Sequence, residues 1–355
     1  MTIAFITEYT EIGGGESNLL NLAEELNKIN DVTIFCSGKV EIEAKKRNIN
    51  TISFTTGRRW IKFIPLISFK KSLIEQLNEF DIVHAYSLNV LPCLIGVKSK
   101  IVWTTHGYWE KPNGLRGKII DKIVDKVVCV STDVYNIADF EIEKKQTIFL
   151  GTNFKISENL VNKIFDKKNI ELVCIGRFQK IKGQDILIDS LKELSMTQPD
   201  INFNLSIVGD VNGNNQEDID YKKSLLDKAK NINSKNLNIN FLGFQTNVRD
   251  FIEKADMVVI PSRYESFSMV AIEALSCGKP VIAPNIGGPK DIINSNKIGM
   301  LFEAGIVESL KNTLYKAVEN FESFDSQLAL QRAKFFSVEN QAKNHLAIYE
   351  ELLND

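Results

Sequence analysis

The stretch that most constrains this chain runs from Met257 to Pro284, MVVIPSRYESFSMVAIEALSCGKPVIAP. It opens on an apolar run, Met257-Val258-Val259-Ile260, which Pro261 stops in the way a buried parallel strand is stopped. A polar turn follows, Ser262-Arg263-Tyr264-Glu265-Ser266. From about Phe267 to Ser276 the apolar residues Met269, Ile272 and Leu275 fall at helical spacing. Gly278 and Pro280 end that pattern, and Val281-Ile282-Ala283 begins another buried strand. The unit is therefore strand, turn, helix, strand. Glu265 sits on the turn at the carboxyl end of the first strand, and Glu273 sits inside the helix. A helix starting near Ser268 offers free backbone N–H groups, and these favour an anion. Two carboxylates beside an anion site suit a ligand that carries hydroxyls as well as phosphates, and a nucleotide sugar has both.

The rest of the chain repeats this alternation. Thr2–Thr7 reads as a first strand, followed by Gly13-Gly14-Gly15 and a helix through Leu19, Leu20, Leu22, Ala23 and Leu26. A glycine turn that feeds a helix lets a phosphate approach backbone amides, although the spacing is not a dinucleotide fingerprint and a plain strand-to-helix turn accounts for it equally well. Further strands are read at Val32–Cys36, Ile49–Phe54, Asp81–His84, Ile101–Thr105 and Val127–Ser131. A second alternation starts near Glu171, with strands at Leu172–Arg177, Asn204–Asp210, Asn238–Gly243, Met257–Ile260 and Val281–Ala283. The expectation is an α/β chain of two doubly wound, Rossmann-like parallel-sheet domains facing across a cleft. The first covers 1–155 and is joined by the C-terminal helix 338–355. The second covers 165–335, with the polar stretch from Lys155 to Asn169 as linker. Ligands of open parallel sheets bind beyond the carboxyl ends of the strands, so the cleft is the expected site.

Composition narrows the function classes. A net charge of −2 gives no global pull toward nucleic acid. The five cysteines, Cys36, Cys93, Cys129, Cys174 and Cys277, follow no spacing motif and mostly lie in or beside apolar runs, which argues against disulfides or zinc and for a reducing cytosol. MTIAFITEYT reads as a strand running into a loop, not a signal peptide, and no apolar run is long enough to span a bilayer. Any membrane contact is therefore expected to be peripheral.

Taken together, these pieces resemble the retaining glycosyltransferases of family 4, which have the GT-B fold. The second-domain motif of that family, E-x-F-G, four residues, then E, appears as Glu265-Ser266-Phe267-Ser268 and then Glu273. Gly176-Arg177 and Lys182-Gly183 match its G-R-x-x-x-x-K-G, and Gly287-Gly288-Pro289 followed by Gly299-Met300-Leu301-Phe302 matches the pattern after the motif helix. The resemblance covers most of the chain and is strongest from Ile170 to Phe302. It implies that Arg177 and Lys182 clamp the donor diphosphate, where fixed cations stabilise the charge that develops on the leaving group. Amides near Phe267, Ser268 and Met269 add the helix-dipole contribution, with Gly14 and Gly15 helping from the first domain. Glu273 takes the ribose hydroxyls and Glu265 the hydroxyls of the donor sugar. His106, at a strand end of the first domain, faces the sugar or is a structural histidine; His84 reads as structural or as acceptor-side. Front-face attack is implied, with the donor phosphate oxygen taking the acceptor proton, no metal and no further cofactor. Asp218-Ile219-Asp220 resembles the metal motif of a different glycosyltransferase fold, but its context is a polar loop entering a helix, so it is set aside. Ser266 and Ser268 depart from the family's glycines. At the interdomain crossing, where N-G-x-D is common, Leu150-Gly151-Thr152-Asn153 keeps only the glycine.

Two first-domain stretches point toward the acceptor. In Gly57 to Leu73, Arg58, Arg59, Lys62, Lys70 and Lys71 are interleaved with Trp60, Phe63 and other apolar residues. That mixture suits the headgroup boundary of an anionic membrane, at about 1 kcal/mol per basic residue; a core-facing helix with a basic outer face is the alternative. The loop after His106 carries Tyr108, Trp109, Lys111 and Arg116, whose rings could stack on an acceptor sugar and whose cations could meet a phosphate. The expected function is transfer of a hexose-type sugar from a nucleotide-diphosphate sugar to a glycan or lipid-linked saccharide, in the cytoplasm or at the inner face of the cell membrane. The alternatives are a non-catalytic GT-B partner module of a glycosyltransferase and a GT-B nucleotide-sugar epimerase.

Overall fold

Short, continuously apolar runs form central strands buried on both faces, and together with more polar strands such as Asn50–Ser53, Lys145–Thr147 and Leu237–Phe241 they assemble into two all-parallel sheets. The computed structural model describes residues 1–56, 67–110, 114–157, 165–211 and 213–354, without the side chains of residues 67–70 and 114–116. The chain divides into two units, Met1–Asn153 with Phe336–Asp355, and Phe154–Phe335.

In the first unit the strands are β1 (Thr2–Ile6), β2 (Asp31–Cys36), β3 (Asn50–Ser53), β4 (Ile82–Ala85), β5 (Lys100–Thr105), β6 (Lys126–Cys129) and β7 (Lys145–Thr147). Their order in the sheet is β3-β2-β1-β4-β5-β6-β7. The chain winds outward from β1, then returns to its other side, so the strand order reverses between β1 and β4. Phe5 pairs with Ile34 on one side and His84 on the other. The crossovers are α1 (Gly14–Leu26), α2 (Gly38–Lys46), α3 (Ile67–Leu77), α4 (Gly114–Ile123) and α5 (Thr132–Ile137). Helix α1 turns Leu19, Leu22, Ala23 and Leu26 onto the sheet, where they meet Phe5, Val32, Ile34, Val102 and Val128. Truncating a fully buried leucine such as Leu19 to alanine would cost about 2–5 kcal/mol.

The C-terminal helix Val338–Asn354 belongs to this first core. Its Tyr349 hydroxyl hydrogen-bonds His84 Nδ1 at 2.6 Å, and His84 Nε2 hydrogen-bonds Thr104 Oγ1 at 2.7 Å. His84 is fully buried, so it is a structural residue tying two strands to that helix. Asn18 on α1 and Gln341 exchange side-chain hydrogen bonds of 2.8 and 3.0 Å, and Asn18 also donates to the Gly151 carbonyl at 2.9 Å. A Cβ on Gly151 would lie 2.5 Å from the Ser337 carbonyl oxygen. The glycine kept from the family's crossing motif is thus the one that lets the segments at 151–152 and 336–338 run side by side.

The second unit has strands β8 (Asn169–Ile175), β9 (Asn202–Val208), β10 (Leu237–Phe241), β11 (Met257–Val259), β12 (Val281–Pro284) and β13 (Gly299–Phe302), in the order β10-β9-β8-β11-β12-β13. Here the order reverses between β8 and β11, which pair through Leu172 with Met257 and Val173 with Val258. The helices are α6 (Gln184–Thr197), α7 (Gln216–Lys230), α8 (Arg249–Lys254), α9 (Met269–Ser276), α10 (Gly288–Ile292), α11 (Val307–Glu319) and α12 (Ser326–Phe335). Leu172, Phe203, Leu205, Ile207, Val259 and Ile282 on the sheet pack with Leu187, Leu191 and Leu314. Among the described residues, no helix is long and apolar enough to cross a membrane.

Candidate active site

In a doubly wound sheet the loops diverge where the strand order reverses and leave a crevice at the carboxyl ends of the two central strands. In the second unit those strands are β8 and β11. The exit of β8 carries Arg177, whose exposed guanidinium pairs with no carboxylate among the described residues. A single 3-10 turn, Lys180–Lys182, follows and ends on Gly183, with φ of 67°. A Cβ there would lie 2.0 Å from the Pro261 carbonyl oxygen at the end of β11. Gly183 is therefore the residue that allows the lysine turn to close onto the neighbouring strand exit.

That closure brings two predicted residues into contact. Lys182 Nζ lies 2.9 Å from Glu265 Oε2. The same oxygen accepts a hydrogen bond from the Ser262 hydroxyl at 2.9 Å. Oε1 of Glu265 receives no hydrogen bond from any described residue. One carboxylate oxygen thus fixes the side chain while the other is left to accept from a ligand hydroxyl.

The motif loop between Glu265 and Ser268 is seated on the second glycine pair. Gly288 N–H donates to the carbonyls of Ser266 at 3.0 Å and Glu265 at 3.3 Å. Gly287 has φ of 62°, and a Cβ on it would lie 1.7 Å from the Glu265 carbonyl oxygen; one on Gly288 would lie 2.2 Å from Phe267 backbone atoms. Above this seat Phe267 turns its ring into the core and is 2% exposed, so only its backbone is available for the donor contact expected of it. Ser268 precedes α9 with φ of 97° and ψ of 90°, and no side chain caps the helix. The first amides of α9, at Met269 and the residues after it, have no earlier turn to donate to. Glu273, one turn further along α9, makes no hydrogen bond through its carboxylate to a described residue. Its exposure is intermediate, yet burial of the carboxyl pushes its pKa up to about 7.

In the first unit Gly14 and Gly15 open α1, and the Glu16 carboxylate accepts from Gly13 N–H at 2.9 Å. A Cβ on Gly15 would come 3.7 Å from the His106 ring, so the imidazole lies over the start of this helix. His106 sits just past β5 with Nε2 buried and unpartnered among the described residues. Burial lowers its pKa to about 4, leaving the ring neutral near neutral pH. Its backbone N–H donates to Glu110 Oε2 at 2.6 Å, and Leu88 N–H, beyond β4, donates to Glu110 Oε1 at 3.3 Å. Glu110 therefore joins the exits of the two strands, a role that nothing in its local sequence signals. Burial pushes its pKa up to about 7.

Tyr108 and Trp109 stand in the 3-10 turn Tyr108–Glu110, each about half exposed, with ring centroids 5.3 Å apart. Lys111 lies outside the described residues, as does the side chain of Arg116. The same holds for Arg58, Arg59, Trp60, Lys62 and Phe63, and for the side chain of Lys70. Lys71 is described; it is 80% exposed, 3.9 Å from Glu75. Asp218 and Asp220 fall in the first turns of α7, where they accept side-chain hydrogen bonds from Gln179 at 3.1 Å and Gln216 at 2.9 Å.

Sequence reasoning passed over Ser262 and Arg263, reading both only as turn residues. The available signal was position: they lie between a buried strand and the motif glutamate. Arg263 forms a two-pronged ion pair with Asp185, at 2.8 and 2.7 Å, which joins residues 78 positions apart and leaves no local sequence pattern.

Two family models match the chain, "Glycosyltransferase Family 4" over residues 12–139 and "Glycosyl transferases group 1" over residues 155–329. An uncharacterised glycosyltransferase of Methanocaldococcus jannaschii is 28% identical over 97% of this chain and 96% of its own length. Among solved structures, a glycosyltransferase from Rickettsia africae superposes with a TM-score of 0.83 at 21% identity, covering 100% of this chain and 99% of that one. The Anabaena protein HepE, solved in complex with UDP, superposes with a TM-score of 0.81 at 22% identity over 99% and 100% of the two chains. The two strand orders and these superpositions are those of the GT-B fold. The chain belongs to the group 1, family 4 glycosyltransferases.

Proposed function

We propose that the protein is a retaining, metal-independent hexosyltransferase. It takes a hexose from a nucleoside-diphosphate sugar and passes it to a glycan or lipid-linked saccharide in surface polysaccharide or glycoconjugate synthesis. The observation that carries this reading is the Lys182–Glu265 pair, with Oε1 of Glu265 open to a hydroxyl and the Arg177 guanidinium open to a phosphate. Cations and first-turn amides of α9 supply the charge that a leaving diphosphate needs, which is the work a metal does in other transferases. Glu273 is assigned to the ribose and Glu265 to the transferred sugar. His106, with Gly14 and Gly15, is the first unit's contribution to the donor, and Tyr108 and Trp109 are the exposed rings to which an acceptor sugar is assigned. In the reaction the bond between the sugar C1 and the diphosphate oxygen breaks. The acceptor oxygen bonds C1 on the same face, and its proton passes to the departing phosphate oxygen.

A uridine diphosphate sugar is the donor to test first, because HepE binds UDP and has also been solved with UDP-glucose. The test is a thermal-shift screen over nucleotide sugars, since selective binding stabilises the fold, followed by turnover with the stabilising donor. Retention is read from the anomeric proton coupling of the product. Donor turnover that survives Lys182→Ala unchanged, or an inverted product, overturns the reading. Binding without turnover points to a non-catalytic module, and conversion of the donor to an epimer points to an epimerase. Peripheral contact with the inner membrane face is assigned to the basic-aromatic stretch from Arg58 to Lys71. Sedimentation with anionic vesicles that is unaffected by removing its five charges rules that out.

A further inference from the structure

Of the three residues assigned to the donor phosphate and sugar, Arg177, Lys182 and Glu265, the last two sit on segments that one arginine ties together. Arg263 Nη1 donates to Asp185 Oδ1 at 2.8 Å and to the Lys180 carbonyl at 2.7 Å, and Nη2 donates to Asp185 Oδ2 at 2.7 Å. Its backbone N–H donates to the Ile181 carbonyl at 2.8 Å. Arg263 therefore holds both residues that precede Lys182, while standing two residues before Glu265 in its own chain. Asp185 is braced in turn by the Tyr221 hydroxyl at 2.7 Å. Its neighbour Gln184, fully buried, donates from Nε2 to the Arg177 carbonyl at 2.9 Å.

We propose that Arg263 is a positioning residue: its fork on Asp185 fixes the loop carrying Glu265 against the turn carrying Lys182, and so sets the Lys182–Glu265 contact. The guanidinium suits this task because two parallel N–H donors fix direction as well as distance, which an ammonium does not. Both partners are only partly buried, with side chains 33% and 23% exposed, and neither belongs to the hydrophobic core. Even a two-pronged pair at a partly exposed site supplies only a small part of the stability of a whole sheet domain. Loss of the fork therefore loosens one loop and leaves the sheet intact.

The proposal rests on the donor-site reading above, and its test has one arm that needs no donor. In the free protein, Lys182 is acetylated with an amine-reactive ester and followed by peptide mass spectrometry, normalised to the lysines of the first unit. Arg263→Gln and Asp185→Asn, which approach the pair from opposite sides, are each expected to speed Lys182 labelling about threefold or more as the local contact opens, with melting temperatures close to wild type. Arg263→Lys is expected to fall between. Unchanged labelling in both variants overturns the proposal. In the second arm, Arg263→Gln lowers kcat/KM for the nucleotide sugar about tenfold by misplacing charged groups, and has much less effect when Lys182 is already alanine, because the two act through one contact. Losses that simply add in the double variant also overturn it. Labelling that responds in a protein that neither binds nor turns over any nucleotide sugar upholds the positioning role and removes the donor-site reading.

Discussion

Lys182 and Glu265 share a 2.9 Å contact at the crevice between the ends of β8 and β11, and the glutamate oxygen that takes the lysine also takes the Ser262 hydroxyl. The cation assigned to the donor phosphate is thus paired with the carboxylate assigned to the donor sugar. The pairing orients Glu265, and on that assignment a diphosphate would add a second anion to the same ammonium.

Removing either member of this pair is therefore expected to hurt different quantities. Lys182→Ala deletes a cation that faces developing charge and is expected to lower kcat/KM about 10²–10³-fold. Glu265→Gln keeps the shape and the Ser262 hydrogen bond but removes the negative charge beside the transferred sugar. It is expected to lower kcat with little change in the affinity for the free nucleoside diphosphate. Steady-state kinetics beside a nucleotide titration separates the two; equal losses in nucleotide affinity would show that Glu265 acts on the diphosphate side.

Ser268 occupies a backbone conformation, φ 97°, that side chains avoid, and it does so at the start of the motif helix. It stands at the glycine position of the E-x-F-G motif that this stretch resembles. Ser268→Gly removes a penalty of about 1–3 kcal/mol for the left-handed backbone and adds back up to about 1 kcal/mol of unfolded-chain entropy. The expected outcome is a net gain of about 1 kcal/mol in chemical denaturation of the second unit. A variant less stable than wild type would mean that the hydroxyl makes a contact worth more than the strain.

Glu273 has no cationic or hydrogen-bonding partner among the described residues, and burial of its carboxyl raises the pKa to about 7. The raised value means the folded state holds the proton more tightly than the unfolded chain. Stability from this site is present below the ordinary carboxylate pKa and is lost as pH rises to about 7. Glu273→Gln is therefore expected to stabilise the second unit at pH 8, by about 1–3 kcal/mol, while weakening nucleotide binding. Ribose hydroxyls that donate to the carboxylate would pull its pKa back down. Binding near pH 6 should then release a proton, visible in calorimetry as a heat that depends on the buffer's ionisation enthalpy. A buffer-independent heat would place the ribose elsewhere.

What could be read from the sequence was what short-range patterns encode. The apolar run that ends at Pro261, the glycines at 183, 287 and 288, and the helical spacing of apolar residues in α9 each leave a local mark. Strand ends came out within a residue or two where proline or glycine stopped the run, as at Met257–Val259 and Val281–Pro284. The glycine motifs were visible as letters, but their reason was not: Gly183 answers to Pro261 and Gly287 to Glu265, contacts made only after the sheet has formed. The same holds for Arg263 with Asp185 and for Glu110 with the His106 backbone. A hydrogen bond across a fold has no spacing rule in the chain. His84, read as structural or acceptor-side, is structural, and no local pattern hints at its partner Tyr349, which lies 265 residues away.

Acid should separate the two units. All three histidines, His84, His106 and His345, lie in the first unit, and burial holds each pKa down, His106 and His345 to about 4 and His84 well below its ordinary value. Each is neutral in the fold, and His345 spends its Nδ1 proton on the Gln341 carbonyl at 2.8 Å. The unfolded chain takes up protons near pH 6.5, where the folded one does not, so each histidine contributes stability that is present above pH 6.5 and lost as pH falls toward 4. For His106 and His345 the loss is about 3 kcal/mol per site at its full extent, and His84 acts in the same direction. Glu110 opposes it, since its raised pKa favours the fold as pH falls below about 7. One carboxyl set against three histidines still leaves the first unit weaker as pH falls. The second unit contains no histidine, and Glu273 moves it the other way. Tryptophan fluorescence reports on the first unit alone, because Trp60, Trp103 and Trp109 all lie within it. Between pH 7 and 5 the fluorescence melting temperature is expected to drop while hydrogen-exchange protection of β8 and β11 persists, and His84→Gln with His345→Gln is expected to flatten that dependence. A fluorescence transition that keeps its midpoint over this range would mean that the buried histidines take up protons without opening the core.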